Sequence, residues 1–228
     1  RKNFPIFPTL NDINGGYDGQ PWGYNVTVIG VMNEQMPVIT TYNGSTDLPV
    51  NAGVYAGVVR YDGSANYEAD SRTFTVTIAK GIPFPQWSFL TSIVYETPLG
   101  PNQLNATVSV PGTFVYSPPA GTVLNAGTHT LTATFMPADP QNYESRTITQ
   151  SLSVTRRDIS PTWSRPADIA YGTPLGAAQL NATARVPGSF AFTPVAGTVL
   201  PAGVDQVLQV MFTPTDLANY YGTSAAAL

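Results

Sequence analysis

Hydrophobic and polar residues alternate along the most regular stretches of this chain. Leu131, Ala133 and Phe135 fall on one face of an extended segment, and Thr130, Thr132 and Thr134 fall on the other. The same division separates Phe74, Val76 and Ile78 from Thr73, Thr75 and Thr77, while Ile148, Leu152 and Val154 share their side with Gln150. Period two with one apolar face predicts half-buried antiparallel strands. No segment sustains a helical period beyond about two turns. Over residues 80–155 the pattern predicts strands near 87–89, 92–95, 104–110, 113–117, 122–124, 128–136 and 146–155. Pro98, Pro111, Pro118 and Pro137 fall between these runs, where the missing N–H costs no ladder bond.

The pattern is written three times. Residues 95–126 match residues 171–202 at 21 of 32 positions. The first copy is more diverged and is found by its anchors. Asn51-Ala52-Gly53-Val54-Tyr55 corresponds to Asn125-Ala126-Gly127-Thr128-His129 and to Pro201-Ala202-Gly203-Val204-Asp205, and Asn66-Tyr67 corresponds to Asn142-Tyr143 and Asn219-Tyr220. A fixed period marks duplicated modules. The boundaries fall at 1–79, 80–155 and 156–228, with Trp87 and Trp163 marking equivalent places in the second and third. A module of this length holds roughly six or seven strands, enough for a small two-layer sandwich.

Composition narrows the picture further. Gly (20) and Pro (21) interrupt Thr- and Tyr-rich runs every few residues, which favours strands and tight turns. There is no cysteine, so packing alone must hold each module together. Ten Lys and Arg against 14 Asp and Glu give a formal net charge of −4, and Arg156-Arg157 is the one basic pair, so nucleic acid is an unfavourable partner. No apolar run is long enough to insert in a membrane.

The stretches Tyr-Gly-Thr-Pro-Leu-Gly (171–176), Gln-Leu-Asn-Ala-Thr (179–183), Ala-Gly-Thr-Val-Leu (196–200) and Phe-Thr-Pro-Thr-Asp-Leu-Ala-Asn-Tyr (212–220) resemble the bacterial Ig-like repeats of long cell-surface and secreted proteins. The first module, with Tyr17-Asp18-Gly19, Tyr42-Asn43-Gly44-Ser45 and Asn51-Ala52-Gly53-Val54-Tyr55, is similar to the mostly-β, glycine-rich (MBG) type. The resemblance implies an all-β chain of three tandem Ig-like β-sandwich modules in an elongated array, on a bacterial surface or secreted. It also places Tyr55 where an Ig-like sandwich puts a tyrosine corner, bonded back to nearby backbone. His129 and Asp205 stand there in the other copies, so the corner is not a strict requirement. The Asn-Tyr segments are expected to be loops closed by an anchored Tyr67, Tyr143 or Tyr220.

The end of the chain departs from this scheme. After Asn219-Tyr220 only residues 221–224 precede Ala225-Ala226-Ala227-Leu228, which resembles an expression-vector scar and is set aside from the fold. The third module is therefore expected to have its last strand missing or curtailed, and to expose an edge or borrow a strand from a neighbouring chain, with residues 2–10 as the candidate donor.

Catalytic chemistry finds little material. His129 is the one histidine, and Asp62, Asp139 and Asp216 recur in every copy near the same loop, which marks a turn rather than a carboxylate pair. No enzyme activity and no cofactor is expected. Asp12, Asn14 and Asp18 alternate in a glycine-rich stretch in the manner of a calcium loop and are the weak metal candidates, although no closing Glu follows. The sequons at Asn25, Asn43, Asn105 and Asn181 fit Thr-rich strands, and only Lys2 and Lys80 could form isopeptide cross-links. Two functions remain. One is a spacer or stalk that presents flanking modules of a parent protein. The other is an adhesive module for a glycan or protein, in which Tyr17, Trp22, Tyr24, Tyr42 and Tyr61 of the divergent first copy supply an aromatic surface.

Overall fold

The computed structural model describes residues 1–227 and is all-β, with no helix among them. The chain divides into two compact units. One comprises Arg1–Gln86, Ala106–Val115 and Thr134–Ile148; the other comprises Trp87–Asn105, Tyr116–Ala133 and Thr149–Leu228.

The first repeat contributes β1 (Ile13–Gly16), β2 (Val28–Ile29), β3 (Gln35–Met36), β4 (Ile39–Tyr42), β5 (Gly53–Tyr61) and β6 (Asp70–Ala79). β5 and β6 form a long antiparallel pair, β4 flanks β5, and β1 runs parallel along β6, giving the order β1-β6-β5-β4. Phe74, Val76 and Ile78 point into the core beside Val59 and Tyr61, as the alternation requires. β2 and β3 pair separately and place Val28 and Met36 over that face.

The second repeat carries β7 (Ile93–Val94), β8 (Gly112–Ser117), β9 (Gly127–Pro137) and β10 (Arg146–Thr155), in the order β7-β10-β9-β8. Leu131, Ala133 and Phe135 are fully buried. Gln150 sits on the apolar side without penalty because its Nε2 donates to the carbonyls of Trp87 (3.2 Å) and Ser88 (3.0 Å). Parallel pairing of β7 with β10 repeats that of β1 with β6, a departure from the antiparallel expectation.

The other runs predicted in this repeat differ. Residues 104–110 are not a strand: Gln103 and Leu104 turn back on Gly100, and only Thr107 makes a bridge, to Gln86. Residues 87–89 form no strand, and residues 122–124 are reduced to a bridge between Val123 and Pro98. Proline spacing is the physical reason, since Pro98, Pro101, Pro118 and Pro119 interrupt any ladder longer than a single bridge. Trp87 and Trp163 are held alike, each donating its indole N–H to the carbonyl of Gln103 (2.9 Å) or Gln179 (3.0 Å).

In the third repeat lie β11 (Arg157–Ile159), β12 (Gly188–Thr193), β13 (Leu208–Pro214), β14 (Tyr220–Gly222) and β15 (Ser224–Ala227). Here the last strand is present, so of a missing or a curtailed strand the first is corrected. β15 exists and pairs antiparallel with β13, Leu208 opposite Ala227. Ala225 to Ala227 are thus part of the sheet, because their small side chains continue the alternation and Ala227 is buried; Leu228 lies outside the described residues. The strand is short, four residues against ten in β6 and in β10. The segment proposed as a donor is engaged in its own repeat, where Asn3 bridges Tyr67 and Ile6 bridges Ile29.

Candidate functional site at the repeat junctions

Among the described residues, the buried polar side chains are two asparagines, Asn142 (4% exposed) and Asn219 (7%). They are equivalent positions in the second and third repeats, and both close an Asp-x-x-Asn-Tyr turn. Asp139 accepts hydrogen bonds from the backbone N–H of Asn142 (3.2 Å) and from its Nδ2 (2.8 Å), and Tyr143 N–H donates to the Asp139 carbonyl (3.1 Å). Asp216 repeats the arrangement with Ala218 N–H and Asn219 N–H (both 3.1 Å), Asn219 Nδ2 (2.8 Å) and Tyr220 N–H (3.1 Å). Asp and Asn are suited to such turns because their short side chains reach the backbone one turn away. The Asn219 amide, followed by the backbone donors, holds the Asp216 carboxyl below its usual range.

Each turn anchors the entry of its own repeat. Gly81 N–H donates to the Asn142 carbonyl (2.8 Å), Arg157 N–H to Asn219 (2.9 Å), and Asn3 N–H to Asn66 (2.9 Å). The expected anchored tyrosine loop is present, and its purpose is to hold the incoming chain.

The asparagine amides then reach the preceding repeat. Asn142 Oδ1 accepts from Ala52 N–H (2.7 Å), and its Nδ2 donates to Asn51 Oδ1 (3.0 Å) as well as to Asp139. Asn219 Oδ1 accepts from Ala126 N–H (2.8 Å). The receiving Asn-Ala-Gly loops are braced from below. Tyr55 OH donates to the Asn51 carbonyl (2.9 Å), the expected back-bond, and His129 Nε2 lies 2.7 Å from the Asn125 carbonyl, which assigns the proton to that nitrogen. Histidine thus replaces tyrosine by making the same bond. Asp205 has no proton to give, adopts a φ of 53°, and pairs with Arg165 (3.5 Å) instead.

The adjacent tyrosines complete the contact. Tyr143 meets Tyr17 edge-on at 5.3 Å and 84°, and Tyr220 meets Tyr95 at 5.2 Å and 82°. Such T-shaped pairs add about 0.5–1.5 kcal/mol beyond the area they bury. Tyr17 and Tyr95 are equivalent, each with its N–H on the last residue of a neighbouring strand, Ala79 or Thr155.

The second junction has an addition that the first lacks. Glu96, at a φ of 72°, receives a forked pair from Arg185 (3.0 and 3.2 Å), the Nε of Arg157 (3.0 Å) and the hydroxyl of Tyr220 (2.6 Å). Arg185, then Tyr220, holds the Glu96 carboxyl below its ordinary range. The Glu96 carboxylate, helped by desolvation, pushes the Tyr220 hydroxyl up to about 12. In the first repeat Tyr67 is folded back on its own repeat, donating to Glu34 and accepting from Val31 N–H (3.0 Å), so Glu34 is held low and Tyr67 high.

The residues singled out by sequence are placed as follows. Asp12 accepts from Thr75 N–H (2.8 Å); Asp18 accepts from Gln20 N–H (2.9 Å) and the Trp22 indole (3.0 Å), chiefly the indole lowering its acidity range; Asn14 sits in β1 opposite Thr77. No three His, Cys, Asp or Glu side chains gather among the described residues. Tyr42 and Tyr61 are core residues, and Tyr17, Trp22 and Tyr24 pack half-buried against that core. The Trp22 ring lies so close over Gly15 that an added Cβ would sit 2.0 Å from it. Asp62 pairs with Arg60 (2.9 Å), while Ser64 takes over the turn, its Oγ accepting from Asn66 and Tyr67 N–H.

The recurrence of Asn-Tyr was the available signal for Asn142 and Asn219. Glu96 left none, because Asp18 and Gly172 stand at its counterparts.

No protein-family model matches the sequence, and no curated protein matches it. Similar solved structures include Drosophila N-cadherin EC1-4 (11% identity, TM-score 0.31, 99% of this chain and 74% of that one), the N-terminal eight Ig domains of Down Syndrome Cell Adhesion Molecule (10%, 0.27, 100% and 42%) and RET cadherin-like domains 1 to 4 of zebrafish (6%, 0.26, 88% and 61%). Likenesses this distant define neither a family nor an activity.

Proposed function

We propose that this chain is a non-enzymatic spacer segment of an extracellular or cell-surface protein, of the bacterial Ig-like type, in which each repeat is fastened to the one before it and flanking modules are presented. The observation that carries this reading is the junction built twice from equivalent residues, Asn142 on Ala52 and Asn219 on Ala126. A buried amide with its donors and acceptors used fixes geometry, because any other docking angle strands it without partners. Further support comes from His129, the one imidazole, which is committed to a backbone carbonyl. The adhesive alternative draws less support, since Tyr17, Trp22, Tyr24, Tyr42 and Tyr61 all pack in or against the first core.

Paired spin labels placed across each junction test the proposal. Narrow distance distributions are expected for the original protein, and broad ones for Asn142→Ala or Asn219→Ala. Distributions that are already broad in the original protein would remove the basis for a spacer.

A further inference from the structure

The four Asn-x-Ser/Thr sequons, at Asn25, Asn43, Asn105 and Asn181, are treated differently by the fold. Asn105 Nδ2 donates to the Asn102 carbonyl (3.2 Å), and Asn181 Nδ2 donates to the Ala178 carbonyl (3.2 Å). The Thr183 hydroxyl that completes the Asn181 sequon is itself committed to the Thr162 carbonyl (3.5 Å). Asn43 occupies the turn after β4 at a φ of 48°, its Oδ1 accepting from Ala56 N–H (2.8 Å) and its Nδ2 donating to the Val54 carbonyl (3.4 Å). Asn25 is exposed, and its amide donates to no other described residue. The cause is local. Residues 21–27 form no strand, yet they alternate: Trp22, Tyr24 and Val26 pack against the first core, while Gly23, Asn25 and Thr27 are exposed. Trp22 N–H is bound to the Pro49 carbonyl (2.9 Å), Tyr24 N–H to the Tyr42 hydroxyl (2.9 Å), and β2 begins at Val28. The segment is thereby held extended, with Asn25 and Thr27 on the same outward side.

We propose that Asn25 is an acceptor for N-linked glycosylation, presented by the folded first repeat together with the Thr27 hydroxyl. The Asn25 amide nitrogen attacks the anomeric carbon of a glycosyl diphosphate held by a transferase. The new N–C bond forms as the bond from that carbon to the diphosphate oxygen breaks; the diphosphate leaves with the electron pair, and one amide proton passes to a base of the transferase. An amide nitrogen is a weak nucleophile, and one that already donates to a carbonyl must first give up that bond. Breaking it costs about 1 kcal/mol net, which lowers the reactive population about fivefold at Asn105 and Asn181, and further at Asn43, where both amide atoms are engaged. Asn25 carries no such penalty. Its segment pairs with no strand, so a transferase can grip residues 25–27 without opening a sheet, and the bulky, hydrophilic product projects from the surface.

The test incubates the whole folded protein with UDP-glucose and a soluble glucosyltransferase specific for Asn-x-Ser/Thr, and follows intact mass and peptide mapping. One hexose per protein is expected, on Asn25, with the other three sequons modified about fivefold or more slowly. Asn25→Gln and Thr27→Ala should each abolish it, with unchanged circular dichroism showing that the fold survives, whereas Asn105→Gln should leave it intact. In a tryptic digest of the same protein, where the fold no longer holds the amides, all four sequons should be modified at similar rates. Absence of hexose on the folded protein overturns the proposal, as does modification of Asn43, Asn105 or Asn181 at the rate of Asn25. A preference for Asn25 that persists in the digest would trace the selection to local sequence and overturn presentation by the fold.

Discussion

The two junctions share a clamp and differ in what surrounds it. Asn142 spends its whole amide at the first, on Ala52, Asn51 and Asp139, with no ion pair there among the described residues; Asn219 makes two of those bonds at the second, where Glu96 gathers Arg157, Arg185 and the Tyr220 hydroxyl. The sequence difference is small. Arg157 and Arg185 stand where the preceding repeat has Gly81 and Ser109, and Glu96 stands where the first has Asp18, which turns to Trp22 instead. A hydrogen-bonded asparagine therefore suffices to define the docking, and charge is an elaboration laid over it. Exposed ion pairs of this kind usually contribute little, so the amide is the stronger determinant.

The largest effect that would break the comparison is at Asn142. Asn142→Ala strands Ala52 N–H and part of Asp139, and is expected to cost about 1–3 kcal/mol in urea unfolding. Asn219→Ala should cost less, because one bond fewer is lost. Equal costs would mean that the Asn51 contact is idle.

The next effect is ionic and confined to the second junction. Glu96→Gln is expected to destabilise by about 1 kcal/mol or less, since Glu96 is 32% exposed and its arginine partners 37% and 51%. Added salt should shrink the difference. The pH dependence follows from two shifts of opposite sign. Glu96 is depressed when folded, so its contribution is present above the unfolded value near 4.5 and fades as pH falls through the lower folded one. Tyr220 is raised, so its contribution is complete below the unfolded value near 10 and is lost as pH rises through about 12. Phenolate absorbance should therefore show late-titrating tyrosines, of which Glu96→Gln moves Tyr220 back towards the ordinary range and leaves Tyr67 raised.

The smallest effect sharpens the likeness of the two receiving loops. His129→Tyr restores the first repeat's residue and should leave stability within about 0.5 kcal/mol of the original. A larger loss would show that Tyr55 and His129 are not interchangeable braces.

Much of this was legible in the sequence. Alternation at Leu131, Ala133 and Phe135 located the long strands, because burial on one face has no other cause at that spacing. The anchored Asn-Tyr loops were legible through recurrence. Residues 104–110 misled because a Val- and Thr-rich run looks extended, whereas Gln103 and Leu104 satisfy Gly100 locally first. Glu96 was illegible because its partners lie 61 to 124 positions away, and only folding brings Arg157, Arg185 and Tyr220 to it. The short β15 was missed because a run of alanines carries no apolar contrast.

Parallel pairing of the edge strands has a mechanical consequence. In the first and second repeats, a strand near the entry, β1 or β7, runs in the same direction as the closing strand, β6 or β10. Tension applied along the backbone pulls such neighbours past one another, so their hydrogen bonds are loaded together in shear instead of being peeled apart singly. In the third repeat β11 and β14 repeat the parallel arrangement over three residues. Under load, each of these paired edges would thus resist as a unit.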